Sequence, residues 1–212
     1  MKTEIRREES RDHRTVEEIT RKAFWNLHVP GCDEHFLAHK LRSHSDFLAE
    51  LDFVAVRGST VVGNIMYTRS YLQNDAGKKL GTITFGPVSV HPDFQRQGIG
   101  SALISHSIRV AAKMGYSAII IHGNPSNYCK FSFKGSKAYS IATPERRFPC
   151  SLLVKELIPG ILLHESWRYF ESEAYTFSQD GFEEYDASFE KLEKTYQYTQ
   201  ELYSILSNAY VD

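Results

Sequence analysis

With 212 residues and a formal net charge of −1, the chain is long enough to bury one sizeable core and carries no bulk positive field to draw in nucleic acid or an acidic membrane. Hydrophobic residues make up 42% and charged residues 24%, an ordinary globular composition, and no run approaches the roughly 18 apolar residues of a membrane span. The first fourteen residues are charged, without the apolar centre of a secretory signal, and Cys32, Cys129 and Cys150 fit neither a disulfide framework nor a zinc site, so reduced thiols in a cytoplasm and no bound metal are expected.

In chain order, Glu4–Arg7 reads as a short strand. Asp12 stands where it would cap a helix running to about Asn26, with Val16, Ile19, Ala23 and Phe24 on one face. Pro30-Gly31 ends it, and Asp33 opens a second helix through Leu41 that breaks near Ser45. Phe53–Val56, a turn over Arg57–Thr60 and Val61–Tyr71 form a hairpin. A polar loop over Gln73–Lys79 leads to a strand over Thr82–Val90. After a glycine loop, Leu103, Ile104, Ser107, Ile108, Ala111 and Ala112 share one helical stripe, and Gly115 stands at its C′ position. Ala118–Ile121 is apolar throughout, as expected of a strand covered on both faces. The strand–helix–strand crossover is right-handed, so its two strands run parallel. Lys137–Ala142 and Ser151–Leu157 are expected as a closing hairpin, the latter as an edge. Pro159-Gly160 marks a boundary. An aromatic and acidic tail follows, with a helical pattern over Glu183–Asn208.

The chemistry concentrates between Phe85 and Phe133. Gly98 and Gly100 sit where a strand hands over to a helix, just after Gln95, Arg96 and Gln97. The free N–H groups and dipole of a helix start suit a phosphate, glycines let backbone approach it, and Arg96 offers a charge-assisted contact. The same glycines also serve a helix that merely needs to turn. Neither the lysine of a nucleotide-triphosphate loop nor GxGxxG is present, since position 103 is Leu.

The pattern Gln95-x-x-Gly98-x-Gly100, after a strand ending VSVHPDFQ and before an amphipathic helix, resembles the pyrophosphate-binding motif of the GNAT superfamily of acyl-CoA N-acyltransferases. Gly123-Asn124-Pro125-Ser126-Asn127-Tyr128 and the following Phe131-Ser132-Phe133 resemble its second signature, with Ser132 where a glycine is usual. The similarity, which extends to a bacterial subgroup of predicted acetyltransferases, covers roughly residues 3–157. It implies a mixed α/β fold: a central sheet of about seven strands flanked by helices, residues 1–158 forming the N-acetyltransferase domain and 159–212 a C-terminal extension.

The resemblance further implies that acetyl-CoA is the cosubstrate. Backbone groups of Val88, Ser89 and Val90 would hold the pantetheine arm, with a bulge at Gly86-Pro87 turning amides toward it. The Gln95-Arg96 lead-in and the amides of Gln97, Gly98, Ile99, Gly100 and Ser101 would hold the pyrophosphate. Tyr128 maps to the family's general acid for the departing thiolate; alternatively it only packs against the cofactor or the core. Asn124 either bonds the pantetheine or simply forms the Asn-Pro turn. The base is open between His122, His91 and water. The acceptor is an amine of a small molecule or peptide, met by the segment Phe24–Leu41. The expected reaction is direct acetyl transfer in a ternary complex; the alternative is a non-catalytic CoA-binding sensor or interaction module. The extension either packs on the core, covers the acceptor site or forms a dimer contact, so the chain is a monomer or homodimer, with no nucleic acid or membrane partner.

Overall fold

The computed structural model describes residues 2–212. Strand β1 (Thr3–Arg7) runs antiparallel to β2 (Phe53–Arg57), which turns through Gly58 into the long β3 (Thr60–Gln73). β3 returns antiparallel as β4 (Lys79–Val90). Between β1 and β2, α1 (His13–Phe24) and α2 (Glu34–Leu41) cross one face of the sheet. Asp12 precedes α1 but does not cap it. Its carboxylate accepts from Arg6 at 2.6 and 2.9 Å and from the Glu9 N–H, fastening the end of β1 instead.

The crossover helix α3 (Ile99–Lys113) covers the other face and delivers the chain to β5 (Ala118–His122), parallel to β4. Ile99, Leu103 and Ile104 of α3 are buried against Ile83, Ile119 and Ile121, each contributing roughly 1.5–3 kcal/mol by leaving water. On the opposite face Val16 and Ile19 of α1 pack on Val54 and Val61, and Ala38 and Leu41 of α2 on Met66. Ala118 and Ile120 point to that same side, against Leu72, Trp167 and Tyr169. Cover on both faces is why β5 is apolar at successive positions.

Beyond β5 come α4 (Pro125–Tyr128), β6 (Lys134–Gly135), β7 (Ile141–Ala142), β8 (Leu152–Glu156) and β9 (Trp167–Phe170). The nine strands run β1-β2-β3-β4-β5-β8-β6, with β9 pairing both β3 and β7. The two strands beyond the expected seven are β6 and β9. The expected hairpin of Lys137–Ala142 with Ser151–Leu157 does not form. Ser136–Tyr139 winds as a 3₁₀ turn, and the two residues of β7 pair parallel with β9. β8 is interior, lying between β5 and β6; Leu152, Leu153 and Val154 are all buried, so its weak alternation reflects two covered faces.

The continuous helix over Glu183–Asn208 is also absent. α5 (Phe182–Ala187) and α6 (Tyr198–Asn208) are separated by an extended stretch. The carbonyls of Ser188, Glu190 and Glu193 accept from Arg14, Arg21 and Trp25. Those tertiary bonds replace the intrahelical ones that a helix would supply. Among the described residues no helix is long and apolar enough to cross a membrane.

Candidate active site

β4 and β5 pair at a single position, Ile83 with Ile119. Beyond it they part: β4 continues along β3 to Val90, and β5 along β8 to His122. The resulting gap lies at the carboxyl ends of two parallel strands, the place where open α/β sheets take ligands.

β4 enters the gap through a bulge. Between Phe85 and Val88 it takes one step more than β3 does between Tyr67 and Ile65, so Gly86-Pro87, joined by a cis peptide, carries the extra residue. The His91 N–H donates to the Val62 carbonyl at 2.9 Å. Alternation along the antiparallel ladder then points the backbone groups of Ser89 at β3 and those of Val88 and Val90 into the gap. The Val90 carbonyl accepts from Gln95 Nε2 at 3.1 Å. Ser89 faces the interior, its hydroxyl 3.0 Å from Thr20 Oγ1. Of the three β4 residues, two reach the gap through their backbone and Ser89 does not.

The loop after β4 is held from both sides. Gln97 Oε1 accepts from Arg57 at 2.5 Å, and its Nε2 donates to the Asp93 carbonyl at 3.2 Å. Arg96 and Gly98 are left-handed, at φ of 56° and 81°. Gly98 occupies the N-cap of α3, and Ile99 plugs into the core. The N–H groups of Ile99, Gly100 and Ser101 therefore lie in the first turn, without intrahelical partners. The two glycines differ in what they do. Gly98 answers a positive φ. A Cβ at Gly100 would meet only Val90 Cγ2, at an ordinary 3.6 Å, although a helix prefers alanine there by roughly 0.5–1 kcal/mol. Protein packing does not ask for glycine at position 100. The open first-turn N–H groups beside it are of the kind that an anionic group could reach.

Across the gap, Asn124 Oδ1 accepts from the Ser126 N–H at 3.0 Å and from its hydroxyl at 2.9 Å, starting α4. Its Nδ2 has no protein partner among the described residues. Tyr128 lies over Gly123 so closely that a Cβ there would stand 2.5 Å from the ring. Phe85 and Phe133 flank it, with centroids 5.7 and 6.1 Å away. Burial pushes the Tyr128 phenol up from its ordinary pKa with no hydrogen bond to offset it. The site thus holds a protonated hydroxyl able to donate.

The two candidate histidines are placed differently. His91 starts the Pro92–Phe94 turn, its Nδ1 accepting from the Asp93 N–H at 3.3 Å and its ring 5.8 Å from Phe94, so it holds the loop. His122 ends β5, its Nδ1 3.4 Å from Ser151 Oγ. The surrounding protein disfavours its charged form and lowers its pKa.

The far side of the gap comes from the aromatic and acidic extension, for which packing on the core, covering the acceptor site and a dimer contact are the alternatives the sequence leaves open. The Tyr169 hydroxyl lies 2.5 Å from Thr84 Oγ1, and the Tyr175 hydroxyl donates to the Gly86 carbonyl at 3.2 Å. Glu171 sits between them in sequence. No spacing tied these residues to the glycine loop; the density of aromatics after position 166 was the one available signal.

Residues 15–128 match the model of the acetyltransferase (GNAT) family. A curated relative described as the uncharacterized N-acetyltransferase YjhQ of Escherichia coli K12 is 28% identical over 97 residues, or 44% of this chain and 53% of that protein. The chain thus matches about half the length of that relative. Among solved structures, the GNAT family N-acetyltransferase YhbS from Escherichia coli, in complex with CoA, superposes with a TM-score of 0.69 at 20% identity, covering 82% of this chain and 92% of that one. A GNAT family acetyltransferase from Brucella melitensis, in complex with acetyl-CoA, gives 0.64 at 22% identity, covering 82% and 98%.

Proposed function

The chain belongs to the GNAT family of acetyltransferases and has its fold, a mixed α/β sheet flanked by helices, and on that premise we propose that it transfers the acetyl group of acetyl-CoA directly to an amine within a ternary complex. The observation that carries this reading is Gly100, a helical glycine that no neighbouring protein atom requires. In this reading the pyrophosphate lies on the amides of Gln97 to Ser101, with Arg96 beside it and Gln95 bracing the end of β4. The pantetheine arm follows the open edge of β4. The amides of Val88 and Val90 hold it and polarise the thioester carbonyl, and the Asn124 amide faces it from across the gap. Ser89 contributes by fixing β4 to β3 and to Thr20.

Holding donor and acceptor together supplies most of what the reaction needs. The amine lone pair attacks the thioester carbon. As the C–N bond forms and the C–S bond breaks, Tyr128 gives the departing thiolate a proton and the nitrogen loses one. No enzyme nucleophile takes part. Cys32, His35 and Asp186 do line up, with Sγ to Nδ1 at 3.6 Å and Nε2 to Oδ1 at 3.1 Å. Burial pushes the Cys32 thiol far up, away from the thiolate form that attacks.

The test is thermal unfolding with acetyl-CoA, CoA or ATP, followed by thiol release with a panel of amines. Ligand at a hundredfold over its Kd stabilises by about 2.7 kcal/mol. A shift with both CoA species but not ATP, together with turnover, is expected. In Tyr128→Phe turnover drops about a hundredfold or more while the acetyl-CoA shift stays. No shift with acetyl-CoA overturns the reading. A shift without turnover on any amine leaves a CoA-binding module.

A further inference from the structure

α6 is moored at its two ends to different parts of the fold. Near its start the Thr195 N–H donates to Asn26 Oδ1 at 3.1 Å, and Gln200 Nε2 donates to the Asn26 carbonyl at 3.0 Å. One turn further the Tyr203 ring stacks on His28 at 4.2 Å. At its far end the Cys150 N–H donates to the Ala209 carbonyl at 2.9 Å and the Val211 N–H to the Phe148 carbonyl at 2.8 Å. Tyr210 pairs with Pro149 there, and the Arg147 guanidinium lies 3.3 Å over its ring.

The two moorings stand on opposite flanks of the gap between β4 and β5. Asn26 and His28 follow α1, which reaches β4 through Thr20 and Ser89. Residues 148–151 lead into β8, which lies beyond β5 in the sheet, and the Ser151 carbonyl accepts from the Gly123 N–H at 2.8 Å. Strands two places apart, as β4 and β8 are, lie about 10 Å apart and more where they splay. The helix from Gln200 to Ala209 spans roughly 14 Å, enough to bridge them. It does so on the side away from α3. α1 packs on that side, and His122 points to it, its ring 6.2 Å from that of Tyr169. Ile99 and Tyr128 belong to the α3 side.

Between its moorings α6 is little packed: Gln200 is its one buried residue. Glu201, Ile205 and Asn208 stand exposed on one face. Thr199, Tyr203 and Leu206 line the opposite face, where Tyr203 meets His28 and the other two are half-buried. A helix held at both ends and scarcely seated between them is a roof. With residues 26–28, residues 148–151 and the strand ends it closes a ring around the side of the gap that faces away from α3.

We propose that α6 roofs the acceptor side of the gap, and that the acceptor is a small free amine, slender enough to lie beneath the helix, rather than a lysine on a folded protein. This names the acceptor class of the acetyl-transfer reading above and rests on it. The limit is one of reach. A lysine side chain extends roughly 6 Å from its backbone, about half the 10–12 Å thickness of a helix with its side chains. A folded body held outside α6 therefore stops short of the thioester.

The experiment measures, by calorimetry, the binding of CoA and of two inert amides of S-carboxymethyl-CoA, one formed with propylamine and one with a surface lysine of folded ubiquitin. The wild type is expected to bind the propylamide within about threefold of CoA and the ubiquitin conjugate about tenfold more weakly or worse. Leu206→Trp, which fills the space under the middle of α6, is expected to weaken the propylamide about tenfold. CoA itself binds that variant as it binds the wild type, which also shows that the variant is folded. A ubiquitin conjugate that binds the wild type as tightly as the propylamide overturns the proposal, and so does a propylamide indifferent to Leu206→Trp; both leave acetyl transfer standing. Failure of CoA to bind the wild type overturns the acetyl-CoA reading itself, and the roofed acceptor site with it.

Discussion

Arg21 Nε and Asp186 Oδ1 stand 2.7 Å apart, joining α1 to a position 165 residues further along the chain. Arg21 also donates to the Glu190 carbonyl at 2.8 Å and lies 4.2 Å over the Trp25 ring. His35, 3.1 Å from the same carboxylate, does not share the charge, because burial drives its pKa down to about 4.

Asp186→Ala leaves the Arg21 guanidinium buried and unpaired. We expect a loss of about 3 kcal/mol, the low end for a broken buried pair because Asp186 is partly open. Asp186→Asn, which can still accept the hydrogen bond, is expected to lose less. Urea unfolding at pH 7 measures both. Arg21 holds the Asp186 carboxyl below its ordinary value of 3.8, so the pair's contribution is complete above that value and is lost as the pH falls through the folded one.

The two loop glycines separate folding from binding. Gly98→Ala puts a side chain at a φ of 81° and is expected to cost roughly 1–2 kcal/mol. Gly100→Ala meets no obstacle in the protein and is expected to stabilise by up to about 1 kcal/mol, yet to weaken acetyl-CoA. Melting temperatures with and without acetyl-CoA distinguish the two, and a Gly100→Ala variant with unchanged affinity removes the ligand argument.

Ser132 occupies the left-handed region at a φ of 66°, the conformation for which its family's glycine is suited. Ser132→Gly relieves that strain at some cost in chain entropy. A net gain of up to about 1 kcal/mol in denaturant unfolding is expected.

Asp52 accepts from Asn64 Nδ2 at 2.9 Å beside Glu8, whose carboxylate Arg42 holds at 2.7 and 3.0 Å. Burial, then the neighbouring Glu8, raise the Asp52 pKa to about 9. The folded chain therefore binds a proton that the unfolded chain releases near 3.8. The stability this provides is complete below that value and is lost as the pH rises through about 9. Asp52→Asn keeps the acceptor for Asn64 and cannot ionise. Its stability between pH 6 and 9 is expected to decline less steeply than that of the wild type, equalling or exceeding it at the alkaline end; parallel curves would contradict the assignment.

Local signals made the frame around the gap legible. A Pro at a bulge and an unbroken apolar strand each have one dominant physical cause, and the parallel pairing of Ile83 with Ile119 follows from the crossover. What escaped was decided by partners far away in sequence. Residues 188–195 carry helix-compatible chemistry, but Arg21, Trp25 and Asn26 take their carbonyls. Ile141–Ala142 became a strand because Trp167–Arg168 came to pair with it. Tyr169 and Tyr175 reach Thr84 and Gly86 only because β9 lies against β3. The sequence likewise gave no sign that Ser89 would spend its hydroxyl on Thr20.

The bond from Arg21 to Asp186 also sets a timetable. At a synthesis rate of 5–20 residues per second, the 165 residues between them take roughly 8 to 33 s to emerge. The glycine loop, β4, β5 and Tyr128 can assemble in that interval, while the outer flank of α1 waits uncovered. A nascent chain would thus carry the glycine loop well before it acquires Tyr169 and Tyr175, and during that delay Arg21 is a cation without its anion, open to whatever acidic surface a chaperone or the ribosome presents.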